Sequence, residues 1–78
     1  MKLFIHSLEK TLYEGEANVV TLPAEGGEVS ILDHHIPLVT ALSKGTIRVK
    51  ENSSEVKIFP VSSGFAEVQA NHLIVLTQ

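Results

Sequence analysis

Four histidines and one aspartate are the residues best placed to do chemistry in this chain: His6, His34, His35, His72 and Asp33. Imidazole and carboxylate groups bind zinc or copper when three or four of them converge. In an extended strand, adjacent His34 and His35 point to opposite faces, so at most one of them joins such a cluster easily. Beyond Asp33, nothing shows ligand spacing. The histidines therefore read as surface or interface groups, with no metal site. Asp33-His34 can be drawn with Ser7, Ser30, Ser43 or Ser63 as a triad, but no Gly-x-Ser-x-Gly elbow presents a serine. Phosphate binding fails on residue order. A phosphate loop ends Gly-Lys-Ser/Thr before a helix, whereas Lys44-Gly45-Thr46 inverts that order ahead of a strand. The expectation is a chain with no catalytic residue and no cofactor.

The elements that would position these residues are strands. Apolar residues recur two apart at Leu3/Ile5, Ala17/Val19, Val29/Ile31, Ile47/Val49, Val56/Ile58 and Leu73/Val75. That period places each pair on one face of a strand. Val19-Val20 and Leu73-Ile74-Val75-Leu76 are apolar on both faces, which means burial on both sides or an interface. Breakers interrupt the pattern at Gly15, Pro23, Gly26-Gly27, Pro37, Gly45, Asn52-Ser53-Ser54, Pro60, Gly64 and Ala70-Asn71. No window between them has the length or the 3.6-residue period of a helix. Gly26-Gly27 supplies positive φ cheaply between a strand ending near Leu22 and one starting near Glu28. Pro37 and Pro60 mark strand starts or edges, because proline cannot donate to a ladder. Lys44-Gly45 and Ala70-Asn71 read as hairpin turns. The fold class is an all-β sandwich or barrel.

Composition narrows the function. The chain of 78 residues is one small domain, residues 1–78. A domain of this size buries only roughly 60–65 % of its unfolded surface, so a partner that binds the folded state adds usefully to its stability. The absence of Cys removes disulfides and thiolate chemistry together. A net charge of −3 argues against nucleic acid and anionic lipid, which select basic patches. No apolar run approaches the roughly 20 residues that span a bilayer. Met1–Ile5 gives way at once to His6-Ser7 and Glu9, which is not a signal peptide pattern, and the reading is a cytosolic-type domain. Glu9, Glu14, Glu16, Glu25 and Glu28 are either solvated strand ends or an acidic edge that meets a polar loop of a partner. Gly64-Phe65 and the Leu73–Leu76 run are either sandwich core or a docking patch.

One stretch carries more specific information. Glu25-Gly26-Gly27-Glu28-Val29-Ser30-Ile31-Leu32-Asp33-His34-His35-Ile36-Pro37-Leu38 is followed by Thr40-Ala41-Leu42 and Lys44-Gly45-Thr46-Ile47-Arg48, then by Ser63-Gly64-Phe65-Ala66-Glu67-Val68-Gln69 and Leu73–Leu76. This string resembles the N-terminal β-sandwich domain of the epsilon subunit of F-type ATP synthases. The family corner Gly-Glu-x-Gly-Ile/Leu…His-x-Pro-Leu is matched at Gly27, Glu28, Ile31, His35, Pro37 and Leu38. Ser30 replaces a common Gly, and Ser63-Gly64 replaces a common Gly-Gly. The resemblance implies a flattened β-sandwich of about ten short strands. It also implies a rotor role, bridging the gamma shaft and the c-ring and coupling proton or sodium flow to ATP synthesis without catalysis. By the same carry-over Glu28, Val29, Ser30 and Ile31 face the c-ring, while His35, Pro37 and Leu38 face gamma. Such a subunit is peripheral to the membrane through its complex, on the cytoplasmic face of a bacterial inner membrane or the stromal side of a thylakoid. In the family a helical hairpin follows the sandwich, and its inhibition of ATP hydrolysis and occasional ATP site are not expected of residues 1–78.

Two other classes fit an all-β chain of this size. A biotinyl or lipoyl carrier presents Lys between methionines, yet Met1 is the sole Met and neither Lys44 nor Lys57 has such flanks. A stand-alone β-sandwich binding or metal-sensing module is the remaining alternative.

Overall fold

The computed structural model describes residues 1–52 and 55–78. Ser53 and Ser54 of the expected Asn52-Ser53-Ser54 turn lie outside the described residues. All regular structure among the described residues is strand: β1 (Lys2–His6), β2 (Thr11–Glu16), β3 (Val19–Ala24), β4 (Gly27–Ile31), β5 (Leu38–Leu42), β6 (Gly45–Lys50), β7 (Val56–Val61), β8 (Gly64–Val68) and β9 (His72–Thr77). That is nine strands where the family resemblance implies about ten. They run in the order β2-β1-β9-β8-β5-β3-β6-β7, with β4 added on β3. The β1–β9 pair is parallel and the others are antiparallel.

The sheet curls at β3–β5, and proline chemistry explains where. The first half of β3 pairs with β6, from Val19↔Lys50 to Thr21↔Arg48. Pro23 has no N–H to continue a ladder. Its carbonyl instead accepts the Ser43 N–H at 2.8 Å and the Ser43 hydroxyl at 3.3 Å. Ala24 pairs with Leu42, and the Glu25 N–H donates to the Ala41 carbonyl at 3.0 Å. Strand β3 thus exchanges β6 for β5 at Pro23 and joins the halves of the sandwich. Lys44-Gly45 consequently carries the chain from one half to the other, and it is not the hairpin turn the sequence suggests. Glycine is needed there, since a Cβ on Gly45 would come within 2.8 Å of the Pro23 Cβ. Ala70-Asn71 does join an antiparallel pair, β8 and β9. Strand β3 runs two residues past Leu22, and Gly27 takes the positive φ of 128° in the turn to β4.

The inner faces share one core. Leu3, Ile5, Leu73 and Val75 from one half meet Val20, Leu22, Ile31, Ile47 and Val49 from the other, all fully enclosed. Each such side chain contributes roughly 1.5–3 kcal/mol by leaving water. Val56 and Ile58 share one face as the period requires, and that face is the outer one. The register Arg48↔Ile58 and Ile47↔Phe59 turns Val56 and Ile58 out and sends Phe59 and Val61 inward. Both parities of Val56–Val61 carry large apolar residues, Val56 and Ile58 on one and Phe59 and Val61 beside Lys57 on the other; in the fold the aromatic ring goes in. Phe59 meets Tyr13 edge-on at 5.7 Å between ring centroids. The Tyr13 hydroxyl donates to Glu51, which also pairs with Lys57 at 3.4 Å. This seam ties β2 to β6 and β7, at opposite ends of the strand order.

Candidate partner-binding surfaces

Strand β4 alternates as period two demands. Val29 packs against the core and Ile31 is wholly buried, while Glu28 and Ser30 stand outside. Ile31 therefore offers no side-chain surface, a correction to its place among the ring-facing residues; its part is to anchor the strand. On the outer side, the Thr21 and Ser30 hydroxyls share a hydrogen bond of 3.0 Å. Arg48 donates through both terminal nitrogens to the two carboxylate oxygens of Glu28, at 3.1 and 3.3 Å. Serine at position 30 fits without strain because the backbone is extended, and positive φ falls on Gly27.

The corner after β4 is held by its neighbours. Asp33 accepts from the Met1 ammonium at 2.6 Å, and that hydrogen bond holds the Asp33 carboxyl below its ordinary range. The same bond, with Glu16 at 3.4 Å, raises the ammonium pKa against the opposing effect of burial. His34 adopts a left-handed φ of 64°, and its N–H donates to the Ala70 carbonyl at 2.9 Å. Left-handed backbone at a non-glycine residue is tolerated here because the flanking hydrogen bonds hold it. The His35 N–H reaches the Leu32 carbonyl at 3.3 Å, and its Nδ1–H donates to the Ile36 carbonyl at 2.8 Å. Pro37 is exposed and directly precedes β5, while Leu38 is half-buried against the core. Ile36 at the tip is 77 % exposed.

A third surface is apolar and uncovered. Cross-strand register places Val39, Glu67, Ile74 and Phe4 in one row and Ala41, Phe65, Leu76 and His6 in the next. Val39 is 70 % exposed, Phe65 60 % and Leu76 54 %. With Ala66, Glu67 and Ile74 they line a groove of about 220 Å³. Of the two readings open for Gly64-Phe65 and Leu73–Leu76, Leu73 and Val75 are core, whereas Phe65 and Leu76 form a patch. Gly64 lies so close to β9 that a Cβ would sit 2.1 Å from the Leu76 carbonyl oxygen. Val39 is not evident as a surface residue from sequence, although Leu38-Val39 carries the same two-sided apolar signal as Leu73–Leu76.

The residues weighed for chemistry do not assemble. Among the described residues no group of three His, Cys, Asp or Glu side chains comes together to hold a metal ion. His6 stacks on Phe4 at 6.0 Å, and His72 meets Asn71 at 3.3 Å on its exposed turn. A hollow of about 770 Å³ beside Met1 brings His34 and His72 near two carboxylates, Glu16 and Asp33. Both carboxylates are already engaged by the Met1 ammonium.

The comparisons agree with this fold. Residues 1–78 match the family described as ATP synthase, Delta/Epsilon chain, beta-sandwich domain, and the chain belongs to that family. It is 39 % identical over 75 residues to the ATP synthase epsilon chain of Dichelobacter nodosus, covering 96 % of this chain and 52 % of that one. It is 40 % identical over 76 residues to the epsilon chain of Dehalococcoides mccartyi, covering 97 % and 54 %. The chain thus spans about half the length of the curated relatives it matches. Its fold is shared with a chain of the Euglena gracilis mitochondrial ATP synthase (OSCP/F1/c-ring), at a TM-score of 0.90 and 21 % identity, over 96 % of this chain and 48 % of that one. A chain of the Tetrahymena thermophila mitochondrial ATP synthase central stalk and c-ring gives 0.85 at 15 % identity, over 100 % and 63 %.

Proposed function

We propose that the chain works as the sandwich domain of a central-stalk epsilon subunit in an F-type ATP synthase. It bridges the gamma shaft and the c-ring and couples ion flow to ATP synthesis without catalytic residues, cofactor or nucleic acid. Family membership, the names of the relatives and the shared fold all support this reading.

The observation that carries it is the uncovered apolar face. It begins beside the His35-Ile36-Pro37-Leu38 corner and continues through Val39 to Phe65, Ile74 and Leu76. A contiguous exposed apolar patch marks an interaction surface. Gamma is the occupant proposed for it, with His35, Pro37 and Leu38 at the rim. The c-ring is proposed to meet the β4 edge at Glu28, Val29 and Ser30, where polar groups set orientation more than affinity. Between the two contacts lies a hydrogen-bonded sheet, so load passes through backbone ladders and needs no reactive group. No helix among the described residues is long and apolar enough to cross a membrane. The chain is proposed to be peripheral to the membrane through its complex, on the cytoplasmic or stromal side.

Adding the chain to an epsilon-depleted bacterial ATP synthase tests this. Recovery of gamma and c subunits on the tagged chain, together with restored ATP-driven ion pumping, is the expected result. Failure of both would sink the reading, and stoichiometric metal on the purified chain would favour the stand-alone module instead.

A further inference from the structure

Arg48 lies on β6 and Glu28 on β4, on opposite flanks of β3, yet their side chains meet through two hydrogen bonds of 3.1 and 3.3 Å. Two strand spacings separate their backbones, about 9–10 Å, so both side chains must extend toward each other over β3. The registers Thr21↔Arg48 and Pro23↔Glu28 set them on a diagonal across that strand. The Thr21–Ser30 hydrogen bond lies alongside and ties down the same stretch of β4. A fork-to-carboxylate pair fixes direction as well as distance, which a point charge does not.

We propose that Arg48 is the positioning residue for Glu28, so that the β4 edge offers its partner a neutral, oriented Glu28–Arg48 pair instead of a free carboxylate. This rests on the reading of β4 as the ring-facing edge. The pair leaves two kinds of group unspent: carboxylate lone pairs on Glu28 and three further N–H donors on Arg48. A complementary surface is therefore an uncharged polar loop with both donors and acceptors. In water such an exposed pair contributes little to folding. Once a partner covers it and water leaves, its charge-assisted hydrogen bonds strengthen, and a mispositioned carboxylate becomes costly.

The test compares affinity for a detergent-solubilised gamma–c-ring subcomplex with affinity for gamma alone; the ratio isolates the ring contact. Arg48→Gln is expected to lower that ratio about five- to tenfold while leaving the affinity for gamma and the melting temperature unchanged. Arg48→Lys restores only part of it, because an ammonium does not grip both oxygens. In the double variant Glu28→Gln/Arg48→Gln the loss is no larger than in Arg48→Gln, as expected of two residues acting as one unit. An unchanged ratio in Arg48→Gln, or losses that add, overturns the proposal and leaves the ring reading intact. A ratio of about one for the unmodified chain overturns the ring reading itself, and this proposal with it.

Discussion

The two outer faces of the sandwich use similar strands to opposite ends. Outside β5, β8 and β9 the side chains are the exposed Val39, Phe65 and Leu76 and the half-buried Ile74, set around the Glu67 carboxylate. Outside β3, β4 and β6 they are Thr21, Ser30, Glu28 and Arg48, already satisfied by one another. The first face has most to gain from a partner, because apolar area leaving water contributes roughly 25 cal/mol per Å². The second gains little area but imposes direction. An attachment that must hold firmly at one surface and orient at another is served by that division.

The largest expected effect removes the apolar face with the sheet beneath it. Gly64→Ala drives a methyl into the Leu76 carbonyl, and the β8–β9 ladder must open to admit it. A loss of about 3 kcal/mol is expected, read as a lower denaturant midpoint. Equal midpoints would mean that β9 shifts freely and that the face is not rigid.

Next comes the face itself. Phe65→Ser is expected to weaken gamma binding by about 2 kcal/mol, while folding stability changes far less because the ring is exposed in the free chain. Titration calorimetry against gamma, with thermal melts alongside, separates these outcomes. If Phe65→Ser bound normally, docking would have to lie elsewhere.

The rim variants sharpen the division. His35→Glu is expected to weaken gamma binding by about 1–2 kcal/mol, and Glu28→Lys to impair coupling to the membrane sector with gamma binding largely kept. The reverse pattern would exchange the two surfaces.

The smallest effect concerns the seam that joins the halves. Burial, and then the hydrogen bond to Glu51, push the Tyr13 phenol from its ordinary 10.0 up to about 12. The folded state thus holds this proton more tightly than the unfolded one. Its contribution is complete below pH 10.0 and is lost as pH rises toward about 12. Glu51 is shifted the other way, chiefly by the Tyr13 hydrogen bond, and its contribution is lost as pH falls below 4.5. Tyr13→Phe should flatten the alkaline limb of a stability–pH curve by less than about 1 kcal/mol, since the site is partly solvated. An unchanged limb would remove the seam from the account.

Much of the architecture was legible in the residues. Period-two pairs, closely spaced glycines and prolines and the missing helical period define an all-β chain, because side-chain direction in a strand is local geometry. Leu3/Ile5, Ile47/Val49 and Leu73/Val75 each share one face as that pattern requires, and in the fold it is the inner one. The string from Glu25 to Arg48, with its continuation to Leu76, was sufficient to indicate the family. Tertiary pairing decided the rest. Val56/Ile58 and Phe59/Val61 compete for the same core, the latter pair despite Lys57 on its parity, and the β6–β7 register chooses between them. Lys44-Gly45 has hairpin composition, but whether two strands pair depends on the partners competing for each edge, here β8 for β5 and β3 for β6. Ile31 shares with Glu28 the stretch proposed to face the ring, yet their side chains leave opposite sides of β4. The Arg48–Glu28 pair spans 20 residues of sequence and exists only because β3 threads between β4 and β6. Which side of a sheet is covered is a property of what stacks upon it, and no strand carries that information alone.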